Sequence, residues 1–401
     1  MIDFAEARER VMAGVNPTGR TERIEVIAGL GRVLAMPVIA PLHVPNHDNS
    51  AMDGYGVRLA DLLSDQETTL TVVADLPAGD RLEHPLAAGE AVRIMTGAPI
   101  PAGCDCVVMQ EVVRREGQRV AIPPGQRAGQ NVRRAGEDIR AGAQVLEPGR
   151  RLSPADLGLL TSLGFSHVTV TERLRVAVLS TGNEVQAVGS PLQPGHVYDS
   201  NRTALKTALE ALGVTVIDLG LARDDREQIQ AALNQGAATA DAVITTGGVS
   251  VGDYDLVKEI LSREGRIDFW KVAMKPGKPQ AYGQLGRAAF FGLPGNPVSC
   301  LAVFLLMVRP ALLRLMGGSP EPDRHLRLPL RGRLVKKHGR MDFQRGVVHF
   351  DTDGPWVEST GAQGSGILTS MSRANAFIVL PSPPVEIQAG ELVDVWLIDY
   401  A

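Results

Sequence analysis

A repeated unit of an apolar run, a glycine-rich loop and an amphipathic helix dominates the chain from Leu174 onward. Four of the apolar runs lack polar alternation: LRVAVLS, VTVIDLG, DAVITT and AAFFGL. Continuous apolar strands of this kind are typical of a parallel sheet that is covered on both faces. The predicted helices between and after them are SNRTALKTALEAL, DDREQIQAALNQG, DYDLVKEILSREG and VSCLAVFLLMVRPALLRLMGG. Pro310 is expected to end or kink the last of these. The pattern predicts a doubly wound α/β domain over residues 173–318.

The flanking segments have other patterns. Residues 41–139 contain short β-type runs such as TLTVVADL, AVRIMTG and CVVMQEVV between Gly- and Pro-rich turns, which predicts an inserted β domain. Residues 1–40 and 140–172 predict a helical linking region, in which helical spacing at Ile24, Ile27, Leu30 and Val33 indicates a second helix and Ser153 an N-cap. The N-terminal helix is a candidate to pack on the α/β domain. After the linker GGSPEPD, residues 319–401 alternate again and predict a small C-terminal β-barrel.

The composition excludes several classes of protein. A net charge of −4 argues against a general binder of nucleic acid or membrane surfaces. Three cysteines are too few for a disulfide framework or an all-cysteine zinc site. The longest apolar run, LAVFLLMV, is too short to span a membrane, and the charged N-terminus does not resemble a signal peptide. These features predict a multidomain cytoplasmic protein.

Four loops follow the ends of the predicted parallel strands. Parallel strands place them on one edge of the sheet, where ligands of open α/β sheets bind. The loops are STGNE (Ser180–Glu184), LARDD (Leu221–Asp225), TTGGVSVGDYD (Thr245–Asp255) and GLPGNP (Gly292–Pro297). Glycines allow close approach of backbone, while hydroxyls and helix N-termini supply donors, so a phosphate or another oxyanion is the expected ligand. The alternative is that Gly, Ser and Thr serve only tight turns and helix caps.

Charged side chains share this edge. Carboxylates at Glu184, Asp224, Asp225, Asp253 and Asp255 would repel a phosphate unless a cation such as Mg²⁺ lies between them. Helix capping by Asp224, Asp253 or Asp255 is the alternative. The run FWKVAMKPGKP adds Lys271, Lys275 and Lys278 as a possible anion site. Ser299 and Cys300 have no neighbouring His or Asp in the sequence, so a covalent nucleophile is not indicated.

Nine motifs occur in an order that resembles a known family: DNSAMDGYGVR, RIMTGAP, GQNVRRAGEDI, LSTGNE, TTGGVSVGDYD, KPGKP, GLPGNPVS, GRMDFQRG and GAQGSGILTSM. The order is similar to that of bacterial molybdopterin molybdenumtransferases and of the C-terminal catalytic domain of gephyrin. The resemblance implies an elongated four-part subunit that forms a homodimer. It also implies an enzyme that takes adenylated molybdopterin and molybdate, inserts the molybdenum with the assistance of Mg²⁺, and releases AMP. The molybdopterin adenylyltransferase and molybdoenzymes are further possible partners.

The resemblance also implies roles for individual residues. Catalytic roles fall on Asp53, Glu184, Asp225, Asp255, Lys271 and Lys275. Metal ligands are expected at Glu184, Asp225 and Asp255. Substrate contacts are expected at Thr96, Asp138, Thr181, Gly182, Thr246, Gly247, Gly248, Ser250, Lys278, Pro294, Asn296, Arg345 and Ser365. Asp53, Thr96 and Asp138 lie in the predicted β insertion and are expected to come from the partner subunit. Asn183 departs from the family, which usually has Asp at this position.

Two other functions remain open on the sequence. A molybdopterin adenylyltransferase has a similar TTGG-bearing α/β domain, but it typically consists of that domain alone. A non-enzymatic scaffold of the gephyrin kind is the second alternative, although no long disordered linker is visible in this sequence.

Overall fold

The computed structural model describes residues 1–248, 260, 266–319 and 324–400. Its backbone divides into two compact units. The inserted unit comprises Pro37–Glu147 and Gly158–Ser166, and the large unit comprises Met1–Met36, Pro148–Leu157 and His167–Ala401. The chain therefore leaves the large unit and returns to it twice.

The N-terminal segment belongs to the large unit. Helix α1 (Phe4–Ala13) begins where the Asp3 carboxylate accepts a hydrogen bond from the Ala5 N–H, at 2.8 Å. Its buried side chains join the main core of the large unit, where the Phe4 ring lies 4.8 Å from the Phe343 ring and 6.1 Å from the Trp396 ring.

The predicted second helix at Ile24–Val33 is wrong. Strand β1 (Thr21–Glu25) occupies its start and is followed by a single 3₁₀ turn, Val26–Gly29. The sequence TERIE alternates in exposure, as a half-buried strand does, and it pairs antiparallel with His167–Thr171. Helical spacing over so few residues was outweighed by this pairing with a distant segment.

The inserted unit is built around a six-stranded sheet in the order β7-β4-β6-β5-β9-β8. The strands of this unit are β2 (Val38–Ile39), β3 (Asn49–Ser50), β4 (Gly54–Val57), β5 (Thr68–Leu76), β6 (Glu90–Ile94), β7 (Cys106–Met109), β8 (Arg114–Glu116), β9 (Arg119–Ile122), β10 (Val132–Arg133) and β11 (Gln144–Leu146). Short 3₁₀ turns occur at Leu59–Asp61 and Gln110–Val112. The first and last strands of the unit, β2 and β11, pair antiparallel, so the chain enters and leaves at neighbouring points.

A helix and a strand link the inserted unit to the α/β domain. Helix α2 (Pro154–Ser162) has the predicted N-cap, because the Ser153 Oγ accepts from the Asp156 N–H and the Asp156 carboxylate accepts from the Ser153 N–H. Strand β12 (His167–Thr171) is the partner of β1.

The α/β domain is doubly wound, as predicted. Its six-stranded sheet has the order β16-β13-β17-β21-β20-β18. Alternate residues of β13 point to opposite faces: Val176 and Val178 lie in one core with helix α3, and Ala177 and Leu179 lie in another with helix α4. The elements are β13 (Arg175–Thr181), β14 (Val185–Gln186), β15 (Val197–Tyr198), α3 (Ser200–Leu212), β16 (Thr215–Ala222), α4 (Arg226–Thr239), β17 (Ala242–Thr246), β18 (Arg266–Lys271), β19 (Met274–Lys275), β20 (Pro279–Leu285) and β21 (Ala288–Leu293).

The long apolar helix after β21 continues through its proline. It consists of α5 (Pro297–Val303), a π-helical segment (Phe304–Val308) and α6 (Arg309–Leu315). The expected ending at Pro310 does not occur; the irregularity lies in the turn before it, where a π-helical turn accommodates the proline. Pro297–Leu315 is apolar and long enough to cross a membrane by composition, but 83% of its apolar window is buried inside the protein, as in a core helix.

The C-terminal domain is the predicted small barrel. Its elements are β22 (His325–Arg331), β23 (Leu334–Lys336), β24 (Met341–Asp351), β25 (Gly354–Ser359), α7 (Leu368–Arg373), β26 (Ala376–Leu380), β27 (Val385–Ile387) and β28 (Leu392–Leu397). Five strands close in the order β24-β25-β22-β28-β26, because β26 pairs back with β24. The short strand β19 from the lysine-rich loop pairs in parallel with the start of β24.

Candidate active site at the carboxyl edge of the sheet

Four predicted strand ends meet at one edge of the α/β sheet. Strands β16, β13, β17 and β21 are neighbours and run parallel, so the loops after Ala222, Thr181, Thr246 and Leu293 emerge together. Strand β13, the first of the four along the chain, lies between the second, β16, and the third, β17. Connections therefore diverge between β13 and β17, which is where such sheets open a crevice for ligands.

The loops after β13, β17 and β21 contact each other through glycine. Gly247 has a φ of +88°, and a Cβ at this position would lie 2.6 Å from the carbonyl oxygen of Thr181. The Gly247 N–H donates to the Leu293 carbonyl at 3.1 Å, which ties the loop after β17 to the end of β21. Only glycine fits here, both because of the backbone conformation and because of the close approach. The predicted residues Thr181, Gly182, Thr246 and Gly247 are thus brought together.

Asn201 holds two of these loops at a fixed separation. Its side-chain N–H₂ donates to the Thr246 Oγ1 at 2.7 Å and to the Gly295 carbonyl at 2.8 Å. The Thr246 hydroxyl in turn donates to the Pro294 carbonyl at 3.4 Å. The predicted substrate residues Thr246 and Pro294 therefore belong to one hydrogen-bonded group. Asn201 was missed by the sequence reasoning; an amide in the first turn of a helix that faces the same edge was the available signal.

The acids at this edge divide between capping and exposure. The Asp225 carboxylate caps α4 by accepting from the Gln228 N–H at 2.8 Å, so the capping role falls on Asp225 rather than on Asp224. Asp224 instead pairs with Asn183: the Asn183 N–H donates to the carboxylate at 3.3 Å, and the Asn183 Oδ1 accepts from the Asp224 N–H at 3.1 Å. Asn183 thus links the loops after β13 and β16.

Glu184 differs from its neighbours because its carboxylate is exposed at the edge and has no hydrogen bond or ion pair with another described residue. Asp253, Asp255 and Ser250 lie outside the part of the chain that the structure describes, and Gly248 is its last residue before that gap. Across the described ranges, no three His, Cys, Asp or Glu side chains are close enough to hold a metal ion. One or two carboxylates are what Mg²⁺ takes from a protein when substrate phosphates complete its coordination, so the oxygen donors Glu184 and Asp225 fit that ion.

The predicted lysines follow one another around the end of β18. Lys271 is the last residue of that strand and is exposed, as is Lys278. Lys275 is half-buried and lies in β19, opposite Asp342 of β24. The three side chains therefore come from one compact connection between β18 and β20.

The C-terminal domain reaches the same edge through the loop after β25. The Ser365 carbonyl accepts a hydrogen bond from the Val298 N–H, in the first turn of α5, at 3.1 Å. Asn296 caps this helix with its backbone only, and its exposed side chain is free to face a ligand. The predicted position Ser365 thus lies beside GLPGNP.

Arg345 lies inside the barrel and shapes this loop. Its side chain is 1% exposed, and the guanidinium donates to the Gly364 carbonyl at 3.2 Å and to the Ser370 Oγ at 3.0 Å. Burial lowers the pKa of Arg345 to about 10, so the group remains a cation at neutral pH. Its contacts hold Gly364, the residue next to Ser365.

Within the inserted unit, Asp53 and Thr96 form a tight pair. Asp53 Oδ1 accepts from the Thr96 N–H at 2.8 Å and from the Thr96 hydroxyl at 2.7 Å. The hydroxyl and amide bonds from Thr96 lower the pKa of Asp53, which keeps the carboxylate ionised. The next residue must be glycine, because a Cβ on Gly54 would lie 2.1 Å from the Val108 carbonyl. Asp138, in the motif GQNVRRAGEDI of the same unit, is exposed.

The cysteines behave as structural residues. All three are free thiols. Burial raises the pKa of Cys300 to about 12 and the pKa values of Cys104 and Cys106 to about 11. The thiolate form of these three cysteines is therefore suppressed.

Three family models match successive parts of the chain. Residues 2–164 match the family model described as the MoeA N-terminal region, domain I and II. Residues 177–314 match a probable molybdopterin binding domain, and residues 327–398 match the MoeA C-terminal region, domain IV.

Full-length relatives agree with these matches. A molybdopterin molybdenumtransferase of Haemophilus influenzae is 42% identical, over 98% of each chain. Molybdopterin molybdenumtransferase 2 of Mycobacterium tuberculosis is 38% identical, again over 98% of each chain. The crystal structure of a molybdopterin biosynthesis MoeA protein from Pyrococcus horikoshii matches with a TM-score of 0.87 at 28% identity, covering 99% of this chain and 100% of the other. The chain belongs to the molybdopterin molybdenumtransferase family.

Proposed function

We propose that this protein inserts molybdenum from molybdate into adenylated molybdopterin and releases AMP. The observation that carries the proposal is the meeting of three glycine- and hydroxyl-containing loops at Thr181, Gly247 and Leu293, on the edge from which Glu184 projects. The family membership supplies the reaction, and this edge supplies a site with the chemistry that a pterin pyrophosphate requires.

The loops bind the pyrophosphate. Gly182 and Gly247 let the backbone approach the phosphate oxygens closely, and the Thr181 hydroxyl donates to them. Thr246 holds the loop in place through its bonds with Asn201 and Pro294. Asn201 keeps the Thr246 and Gly295 loops at the separation that one ligand needs. Lys271, Lys275 and Lys278 collect molybdate, a dianion that must approach an already negative substrate.

Magnesium fits the same edge. Glu184, Asp225 and Asp255 are the residues that would hold it, and when bound it offsets negative charge on the phosphate oxygens. The protein's own contribution is to present carboxylate oxygens beside the loops. Asp225 does so with a carboxylate that also caps α4.

The inserted unit completes the site in a homodimer. Asp53 is held by Thr96 in one orientation and remains charged, which suits a residue that must meet a substrate bound by another part of the assembly. Asp138 joins it from the same unit. Mixing an Asp53→Ala protein with a Glu184→Gln protein restores activity if two subunits share each site, and it restores none if each subunit is self-sufficient.

The central test is turnover with defined substrates. The protein is mixed with adenylated molybdopterin, sodium molybdate and MgCl₂, and AMP is measured by chromatography. We expect AMP release that requires molybdate and that is lost after dialysis against EDTA and recovered with Mg²⁺. No AMP under conditions in which a characterised relative is active would contradict the proposal, and ATP-dependent adenylation of molybdopterin would replace it with the adenylyltransferase reaction.

A further inference from the structure

A buried carboxylate of the barrel faces the predicted anion site. Asp342 is 0% exposed, and its Oδ2 lies 3.8 Å from the Lys275 Nζ. The two residues are register partners in the short parallel pairing of β19 with β24. No motif resemblance assigned a role to Asp342.

Backbone contacts fix Lys275 against the barrel. The Met341 N–H donates to the Ala273 carbonyl at 3.0 Å, and the Arg340 guanidinium donates to the Met274 carbonyl at 3.3 Å. The main chain on the N-terminal side of Lys275 is thus held at two successive carbonyls. What remains free is the lysine side chain, whose direction depends on the charges around it.

Those charges are mostly positive. The cations Lys336 and Arg345 and the imidazole of His338 lie near Asp342. Burial is the main cause of the lowered pKa values of Lys336 and His338, and the charges of Lys275 and Arg340 lower both of them further. The Lys336 ammonium is held in place, since it donates to the carbonyls of His338, Arg340 and Ser382 at 2.6, 2.9 and 2.8 Å.

Asp342 itself is oriented but not saturated. Its Oδ2 accepts from the Gln344 side chain at 3.1 Å and lies 3.2 Å from the His338 Nε2. Its Oδ1 has no hydrogen-bond partner among the described residues, although it is fully buried. The carboxylate therefore keeps acceptor capacity beside Lys275, and the 3.8 Å separation leaves the ammonium protons of Lys275 available to another anion.

We infer that Asp342 is a positioning residue that keeps the Lys275 ammonium directed inward for molybdate, a role that rests on the proposed function. Without the carboxylate, the charges nearest to Lys275 are those of Lys336 and Arg340, and their repulsion turns the Lys275 ammonium toward solvent. This reorientation removes a positive charge from the anion site.

The test compares molybdate dependence in matched variants. Asp342→Asn removes the charge with little change in size, Gln344→Met removes the hydrogen bond that orients the carboxylate, and Asp394→Asn makes the same acid-to-amide change at an exposed ion pair of the barrel. We expect Asp342→Asn to raise the KM for molybdate about tenfold and to leave the KM for adenylated molybdopterin within about twofold. Gln344→Met should act in the same direction but less, and Asp394→Asn should match the wild type.

A double-mutant cycle shows whether the effect passes through Lys275. In a Lys275→Met background, Asp342→Asn should cause no further loss of molybdate affinity. Calorimetric titration with sodium molybdate measures this difference in affinity without turnover. If Asp342→Asn lowers the melting temperature below the assay range, Gln344→Met replaces it in the cycle.

Three results would overturn the inference: tighter molybdate binding by Asp342→Asn, equal increases in both KM values, or full additivity with Lys275→Met. Failure of the proposed function is distinguishable, because the wild type would then release no AMP at any molybdate concentration.

Discussion

The α/β domain and the C-terminal barrel place their charged side chains in opposite surroundings. At the sheet edge, Glu184 lies on a loop and Lys271 ends strand β18, and both are exposed. In the barrel, Arg345, Lys336 and Asp342 are 1%, 3% and 0% exposed and are held by the protein itself. Exposed charges can meet a ligand and contribute little to folding, whereas buried charges are part of the core and act on a ligand through what they hold. Substitutions of the exposed charges should therefore reduce activity with little loss of stability, whereas substitutions of the buried charges should reduce stability.

The largest loss of stability is expected in the barrel, for Arg345→Ala. The variant loses both donors to Gly364 and Ser370 and leaves a cavity, so the free energy of unfolding should fall by about 3–5 kcal/mol. Denaturant unfolding measures this. Arg333→Ala, which removes an exposed arginine paired with Glu386, is the control and should change stability by less than about 1 kcal/mol. Similar values for the two variants would contradict the assignment of Arg345 to the core.

A smaller loss is expected for Lys336→Met, which keeps the length of the side chain but removes its ammonium. Three carbonyls lose their donor, so unfolding should become easier by about 2 kcal/mol. Thermal unfolding followed by circular dichroism measures the change. An equal or higher melting temperature would mean that the free energy of burying the ammonium is at least as large as the stabilisation from its three hydrogen bonds.

Asn201→Ala lies between the two extremes, because it breaks a half-buried link between two loops of the sheet edge. Loss of the bonds to Thr246 and Gly295 should cost about 1–2 kcal/mol of stability, and turnover should fall more than stability explains. Asn234→Ala, on the surface of α4, is the matched control for an amide whose bond is exposed. Full turnover in Asn201→Ala would show that the loops keep their separation without it.

The ion pairs of Asp218 with Lys206 and Arg202 predict a dependence of stability on pH. Although burial opposes it, these contacts lower the pKa of Asp218 from 3.8 to about 2. A lowered pKa stabilises the fold above pH 3.8, and this contribution is lost as the pH falls toward 2. The stability difference between wild type and Asp218→Asn should thus be constant near neutral pH and shrink between about pH 4 and pH 2, as melting temperatures would record. A constant difference over that range would contradict the pairing.

The smallest effect on stability is expected for Glu184→Gln. Its carboxylate is exposed, so the free energy of unfolding should change by less than about 0.5 kcal/mol. Turnover should nevertheless fall by about tenfold or more if the carboxylate holds a cation. Glu210→Gln, on the exposed face of α3, should leave both quantities unchanged. A fully active Glu184→Gln protein would remove this residue from the site.

The sequence was a sufficient guide wherever a local pattern decides the structure. Apolar runs without alternation identified four parallel strands, and parallelism alone brought Thr181 and Thr246 to one edge. It was an insufficient guide wherever distant pairing decides. Strand β1 forms because β12 is its partner. The motif that contains Arg345 is visible in the sequence, but it does not show that this side chain is buried in the barrel. The opposition of Lys275 and Asp342 depends on a register between two segments that are far apart in the chain.

The contact of Phe4 with Phe343 and Trp396 has a consequence for biosynthesis. The first helix does not meet these two aromatic partners until almost the whole chain has left the ribosome, which takes about 20–80 s at roughly 5–20 residues per second. During that interval its apolar face is available to chaperones, while the inserted unit already has all of its own strands. A truncated product of a stalled ribosome would therefore display the N-terminal helix, and quality control could distinguish it from the finished protein by that segment.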